Sequence, residues 1–278
     1  MPDLVFYLIT SLMYAGLAAY FWRAHWRVSS PAPSSHERTR TIQHAAVLLP
    51  LILHAGLLYK SIFAGDGMHL GVGNVISTIV WLTVLIYWLG NIYYNYNVEG
   101  LQAMMLPVAA LCAALPMIVP ASRALPNTEL AAFKLHLLIS MLAYSFFTIA
   151  SLHVLLMALL ERRLHGGILP SALQKLPPLL TLETLLFRII TAGFVLLTLT
   201  LVTGIMFSEE LFGKAMRFNH KTLFGILSWL IFAALLGGRQ LYGWRGRIAV
   251  RWTLTGFLML VLAYIGSKFV LEVILGRA

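Results

Sequence analysis

The chain has 278 residues, of which 60% are hydrophobic and only 11% charged, against roughly 25% charged in an ordinary soluble domain. That composition excludes a water-soluble core: apolar runs of about 20 residues recur from end to end, each able at ~1.5 Å per residue to cross a ~30 Å hydrocarbon layer. Twenty Lys and Arg against ten Asp and Glu give a formal charge of +10, but the basic residues stand between the apolar runs, so they speak for orientation in a membrane and not for nucleic acid.

In chain order the pattern predicts spans at 4–22, 42–63, 73–94, 101–119, 132–160, 184–207, 221–242 and 252–275. The first is flanked by Asp3 before it and by basic residues after it, the wrong polarity for a cleaved signal peptide. Arg23, Arg27, Arg38 and Arg40 fall in the first loop, Arg162, Arg163 and Lys175 in the loop 161–183, and Arg239, Arg245, Arg247 and Arg251 in the turn 239–251. The positive-inside rule makes these three connections cytoplasmic, and with eight spans both termini then face outward. Pro31, Pro33 and the serines around 29–35 mark the first of these loops as irregular, as Pro170, Pro177 and Pro178 mark the second. Neither loop is large enough to be a domain, and no repeat of fixed period is visible. The expectation is an all-α membrane protein, a single bundle of about eight transmembrane helices with residues 1–278 forming one polytopic domain in contact with membrane lipid.

Polar groups are costly in hydrocarbon, so histidines in or near the spans are the informative residues. His54 lies in the second span, some eight residues and hence roughly 12 Å below its outer end. His136 lies about one turn into the fifth span, while His69 and His220 fall in outward loops, His220 just before the seventh span. Neutral imidazole is a good iron ligand and haem a flat apolar ring, so an outward haem pocket is chemically sensible; a structural hydrogen-bonding histidine is the plainer reading of any one of them. His136, Ser140, Tyr144 and Thr148 recur every four residues and so share a helix face that turns toward protein or a cofactor. His153 follows His136 by 17 residues, which puts the two roughly 25 Å apart in depth and about 100° apart around the helix, unsuited to stacking two haems.

Gly193 and Gly204 with Thr191, Thr198, Thr200 and Thr203 suit the sixth span to close packing. Lys268 and Glu272 stand four apart and invite a local pair. Among the tryptophans, Trp229, one turn from Gly225 and Ala233, is a pocket candidate. Cys112 has no partner in the chain for an intramolecular disulfide, and there is no Cys-x-x-Cys-His for covalent haem attachment, no phosphate-cradling loop, no paired-carboxylate site and no metal-spaced Cys/His cluster.

Several segments carry a resemblance. His136-Leu-Leu-Ile-Ser-Met-Leu-Ala-Tyr144, Lys221-Thr-Leu-Phe-Gly-Ile-Leu-Ser-Trp229-Leu-Ile-Phe, Gly243-Trp-Arg-Gly-Arg247 and Ala263-Tyr-Ile-Gly266 follow one another in the order found in a known family, and Leu53-His54-Ala-Gly-Leu and Gly73-Asn74 extend the match upstream. The chain resembles, over residues 45–270, the cytochrome c assembly proteins, the integral membrane haem-handling group that includes CcsA, CcmC and HemX. The resemblance implies an inner-membrane protein in which His136 matches an external histidine and His54 an intramembrane one, both candidate axial ligands to haem iron. His220, Trp229 and Tyr144 are further candidates for haem contact, and other cytochrome assembly or membrane proteins are the implied partners. Two features of the family are absent: residues 207–221 contain no tryptophan where a tryptophan-rich segment is expected, and the last helix ends Lys268-Phe-Val-Leu-Glu272 with no second external histidine. That pattern is similar to the short YpjD-like branch.

The reading is a haem-binding or haem-handling accessory of the inner membrane with no bond-making chemistry of its own, hence not an enzyme. The alternative is a scaffold or transporter-associated subunit that keeps the fold without haem. A proton- or ion-coupled transporter ranks below both, because apart from the histidines the predicted span interiors hold essentially no ionisable residue.

Overall fold

The computed structural model describes residues 2–26, 36–63, 67–94, 99–120, 128, 130–165, 179–206 and 220–266. Nearly all of them are helical: α1 (Pro2–Trp26), α2 (His36–Phe63), α3 (Val72–Tyr94), α4 (Glu99–Ala113), the single turn α5 (Leu115–Ile118), α6 (Ala131–His165), α7 (Leu179–Met206), α8 (His220–Tyr242) and α9 (Arg247–Val261), which runs into a π turn at Leu262–Gly266. Among the described residues eight segments are long and apolar enough to cross a bilayer. Helices are what a hydrocarbon solvent demands, because only there does every backbone N–H and C=O of a segment find its partner within the segment. No strand occurs among the described residues. The protein is a multi-pass membrane protein.

The last span begins earlier than the hydropathy of the sequence suggests. Gly246 holds φ at 57° and stops the preceding turn, so α9 starts at Arg247 and takes in Arg251; long arginine stems can lie along a helix end while the guanidinium stays in water. α7 likewise starts before residue 184 and carries Glu183 inside it, buried. Lys268 and Glu272 lie outside the described residues.

The helices sort into two groups. In the first, α1 packs on α2 and α4, and α3 on α2 and α4, around Tyr14, Phe21, Val47, Leu51, Val84 and Leu106. In the second, α6, α7, α8 and α9 close a ring, each packing on the next and α9 on α6. α3 and α4 also pack on α6, which is why 56% of the α6 spanning window is buried against 28% for α7, α8 and α9. At the middle of the ring Phe147 and Phe232 stack with centroids 3.9 Å apart. Glycines make room for them: a Cβ at Gly193 would stand 3.2 Å from the Phe147 ring and one at Gly256 2.8 Å from the Phe232 ring, the close approach that small residues allow where helices pack in lipid. Outside the bundle, Leu12, Leu111 and Leu180 are 68%, 75% and 68% exposed, a surface made for acyl chains.

Contacts fix the two ends. At one end Lys60 pairs with Asp3, the Ser61 hydroxyl donates to Asn74 Oδ1 at 2.7 Å and Asn74 Nδ2 to the His69 carbonyl at 2.7 Å, and the Lys221 ammonium stands 5.9 Å from the Tyr264 ring centre. At the opposite end Arg239 meets buried Glu183 at 2.5 Å, with its guanidinium over Phe187, and Arg247 meets Glu161 at 3.3 Å. Glu183 is thus an ionisable side chain held within a span, where hydropathy alone places it in the loop 161–183.

Candidate functional site

The first end of the bundle carries the histidine with the most open chemistry. α6 begins at Ala131, so His136 sits about one turn in, half-buried against the end of α7. Its Nδ1 lies 2.8 Å from the Thr203 hydroxyl, and Nε2 has no hydrogen-bond partner among the described residues. Gly204 follows on α7, where a Cβ would stand 3.4 Å from His136 Cε1. A ring held by one nitrogen with the other left without a hydrogen-bond partner is how metal-ligating histidines are oriented.

The rest of the polar stripe on α6 is absorbed by packing. Ser140 donates to the His136 carbonyl at 2.6 Å and Thr148 to the Tyr144 carbonyl at 2.8 Å, each one turn back on its own helix. Tyr144 is buried and donates to the Leu260 carbonyl of α9 at 2.6 Å, just before the π turn. Trp229 donates from Nε1 to the Thr198 hydroxyl at 2.9 Å and stacks on Phe194 with centroids 5.5 Å apart. Tyr144 and Trp229 therefore tie α6 to α9 and α8 to α7, with their polar atoms already engaged. His220 is exposed at the first residue of α8, at the same end as His136.

His54 belongs to the other half of the molecule. Its Nε2 is 2.8 Å from Ser77 Oγ on α3, its ring meets Tyr14 of α1 edge-on at 5.7 Å, and all three residues are fully buried. Two atoms there, His54 Nδ1 and Tyr14 Oη, are buried without a hydrogen-bond partner. His54 and His136 thus occupy separate environments, one between α1, α2 and α3, the other between α6 and α7. His153, fully buried, sets Nε2 3.0 Å from the Leu182 carbonyl and links α6 to α7. Among the described residues no three His, Cys, Asp or Glu side chains gather to hold a metal ion.

Sequence reasoning found the histidines and missed what holds them. Thr203 falls in a run suited to close packing and nothing in the sequence marks Ser77 or Tyr14; only the pairing of helices brings them to the imidazoles.

The model of a family described as Cytochrome C assembly protein matches residues 41–275. The chain belongs to the cytochrome c assembly protein family. Within or near it, "Inner membrane protein YpjD" of Escherichia coli K12 is 37% identical over 139 residues, half of this chain and 52% of that protein. "Cytochrome c biogenesis protein CcsA" of Prochlorococcus marinus AS9601 is 25% identical over 280 residues, covering 91% of this chain and 89% of that one. An "Uncharacterized 28.8 kDa protein" of Azospirillum brasilense is 28% identical over 207 residues, 72% of this chain and 76% of its own. The chain thus spans about half the length of the YpjD protein, while its likeness to CcsA, at lower identity, runs nearly end to end. No solved structure matches it. Against the haem that the family handles, the donor set at His136 fits an axial ligand; at His54 the same nitrogen is bonded to Ser77 inside a fully buried contact.

Proposed function

We propose that this protein is a haem-binding, haem-handling accessory of cytochrome c biogenesis in the bacterial inner (cytoplasmic) membrane, with no bond-making chemistry of its own. The observation that carries the reading is His136: a half-buried imidazole at one end of the bundle, held through Nδ1 and without a hydrogen-bond partner at Nε2 among the described residues. Membership in the family and the likeness to a protein named for cytochrome c biogenesis support it. In this reading His136 is the axial ligand and exposed His220, at the same end, is the second imidazole at hand. Tyr144 and Trp229 keep α9 and α8 in register with it. A haem at His54 would first have to open a fully buried contact between α1, α2 and α3. Arg239, Arg245, Arg247 and Arg251 at the other end make that end cytoplasmic, so His136, and with it both termini of one single-domain bundle, faces outward. Bound haem would bring the iron and the vinyl edges; the protein orients the iron, and the thiols of any attachment reaction belong to a partner cytochrome. The partners are haem, membrane lipid and other assembly proteins, and the basic residues call for no nucleic acid.

The test is the visible spectrum of detergent-purified protein, oxidised and then reduced, for wild type, His136→Ala and His54→Ala. A stoichiometric Soret band that His136→Ala shifts or removes is expected; protein that stays colourless after haemin is added would overturn the reading. One observation favours a second reading, a fold-retaining scaffold or transporter-associated subunit: His54, His153, Tyr144 and Trp229 each have a polar atom engaged in a helix–helix hydrogen bond. On that reading His136→Ala leaves function intact.

A further inference from the structure

We propose that Thr203 and Gly204 of α7 form a socket that decides which nitrogen of His136 is offered to a metal. Thr203 fixes the ring as the Nδ1–H tautomer, and Gly204 places no side chain against Cε1, the carbon between the two nitrogens. The inference rests on the reading of His136 as an iron ligand and names the residues that position it.

The argument is one of proton counting. A neutral imidazole carries one N–H, and the tautomer is set by what the other groups can donate or accept. The Thr203 hydroxyl has a single proton and sits 2.7 Å from the Leu199 carbonyl and 3.2 Å from the Thr200 carbonyl. Carbonyl oxygens only accept, so the hydroxyl proton is directed into its own helix, and toward His136 Nδ1 at 2.8 Å the hydroxyl oxygen has only lone pairs left. Nδ1 must therefore be the donor, and Nε2 keeps its lone pair. This is the tautomer that iron ligation through Nε2 requires, with the opposite nitrogen oriented by a hydrogen bond.

His153 and His54 lack this arrangement. His153 Nε2 faces the Leu182 carbonyl at 3.0 Å; an acceptor there forces Nε2–H and removes that lone pair. His54 Nε2 is engaged with Ser77 at full burial. Gly204 completes the distinction. A Cβ at this position would already touch His136 Cε1, the carbon between the two nitrogens, at 3.4 Å, and any branched side chain would extend over the ring. Threonines 191, 198 and 200 on the same helix bond one turn back in the same way, so the backbone bond of Thr203 is ordinary. Its use as an acceptor for an imidazole on another helix is what sets it apart.

The test uses full-length apo-protein labelled with ¹⁵N-histidine in detergent micelles, as wild type, Thr203→Val and Thr203→Ser, with His136→Ala to assign the signal. Nitrogen shifts in wild type and Thr203→Ser should report Nδ1–H with an unprotonated Nε2, and Thr203→Val, which keeps the shape and loses the acceptor, should lose that preference. Haemin titration followed at the Soret band should weaken about tenfold or more in Thr203→Val and recover in Thr203→Ser, the range seen when an orienting partner of a metal-bound histidine is removed. A wild-type ring protonated at Nε2 overturns the proposal, as does a Thr203→Val protein unchanged in both tautomer and haemin affinity. If wild type shows the Nδ1–H pattern and binds no haemin, the socket stands and the haem reading falls. The wild-type tautomer decides the point even if Thr203→Val fails to fold.

Discussion

Gly238 of α8 should tolerate no side chain while Trp244 is present, and should welcome one when Trp244 is gone. A Cβ at Gly238 would stand 2.3 Å from Cε3 and 2.4 Å from Cδ2 of the Trp244 indole. The indole has little room to retreat. Its backbone N–H reaches the Gly238 carbonyl at 3.2 Å, its ring meets Trp252 at 5.2 Å and Tyr242 at 6.2 Å, and it stands between Gly243 and Gly246, whose φ values of 65° and 57° define the turn. In a helix interior Gly→Ala is ordinarily favourable by about 1 kcal/mol. Here the clash costs roughly 1–3 kcal/mol as overpacking, and losing the turn hydrogen bond adds roughly 1 kcal/mol. Gly238→Ala should therefore destabilise by about 1–3 kcal/mol net, and in a Trp244→Ala background it should stabilise by about 0.5–1 kcal/mol, a change of sign that propensity alone cannot give. Unfolding of the four proteins by SDS titration in mixed micelles, followed by far-ultraviolet circular dichroism, gives all the terms. Equal effects of Gly238→Ala in both backgrounds, or a stabilised single variant, would refute the reasoning.

The same end of the bundle offers a second test. Glu183 is 7% exposed and its partner Arg239 32%, so Glu183→Leu strands a partly buried guanidinium and should cost roughly 1–3 kcal/mol, below the 3–5 of a fully buried pair. Adding Arg239→Leu should return most of that loss, and a double variant less stable than the single one would show that the pair matters in another way. At the opposite end, Gly204→Val should leave the unfolding midpoint within about 2 °C of wild type, since the site lies at the end of α7 and half-exposed. It should nevertheless abolish the haemin Soret shift, and undiminished haemin binding would place the ligand away from His136.

The architecture was legible because a membrane reduces folding to few choices: length and hydropathy alone define a span, and eight were visible. Boundaries slipped where backbone conformation or a paired charge overrode hydropathy. Gly246 at positive φ pulled Arg247 and Arg251 into α9, and Arg239 neutralised Glu183 so that α7 could carry it within a span. The stripe on α6 turns toward protein, with Tyr144 buried and His136, Ser140 and Thr148 half-buried, but its period cannot say whether the hydroxyls meet a ligand or their own helix; the i−4 bonds of Ser140 and Thr148 answer that. Trp229 looked like a pocket wall from its neighbours along α8, while its indole N–H is committed to Thr198 on the adjacent helix.

His54, His136 and His153 show why composition and depth cannot assign function in a membrane protein. Each is an imidazole in apolar sequence, and lipid penalises each alike. What separates them is whether the atom facing the ring can give a proton, take one, or both. A backbone carbonyl at His153 can only accept. Ser77 faces His54 where neither residue has any exposed surface. Thr203 faces His136 with its proton already committed to Leu199, and it does so at a bundle end where Gly204 leaves space beside the ring. His153 also has a determined tautomer and a nitrogen without a partner, but it is fully buried; of these three only the His136 ring joins both features to partial exposure, so a binding role for this protein is to be sought at the α6–α7 end before it is sought at the buried histidine of α2.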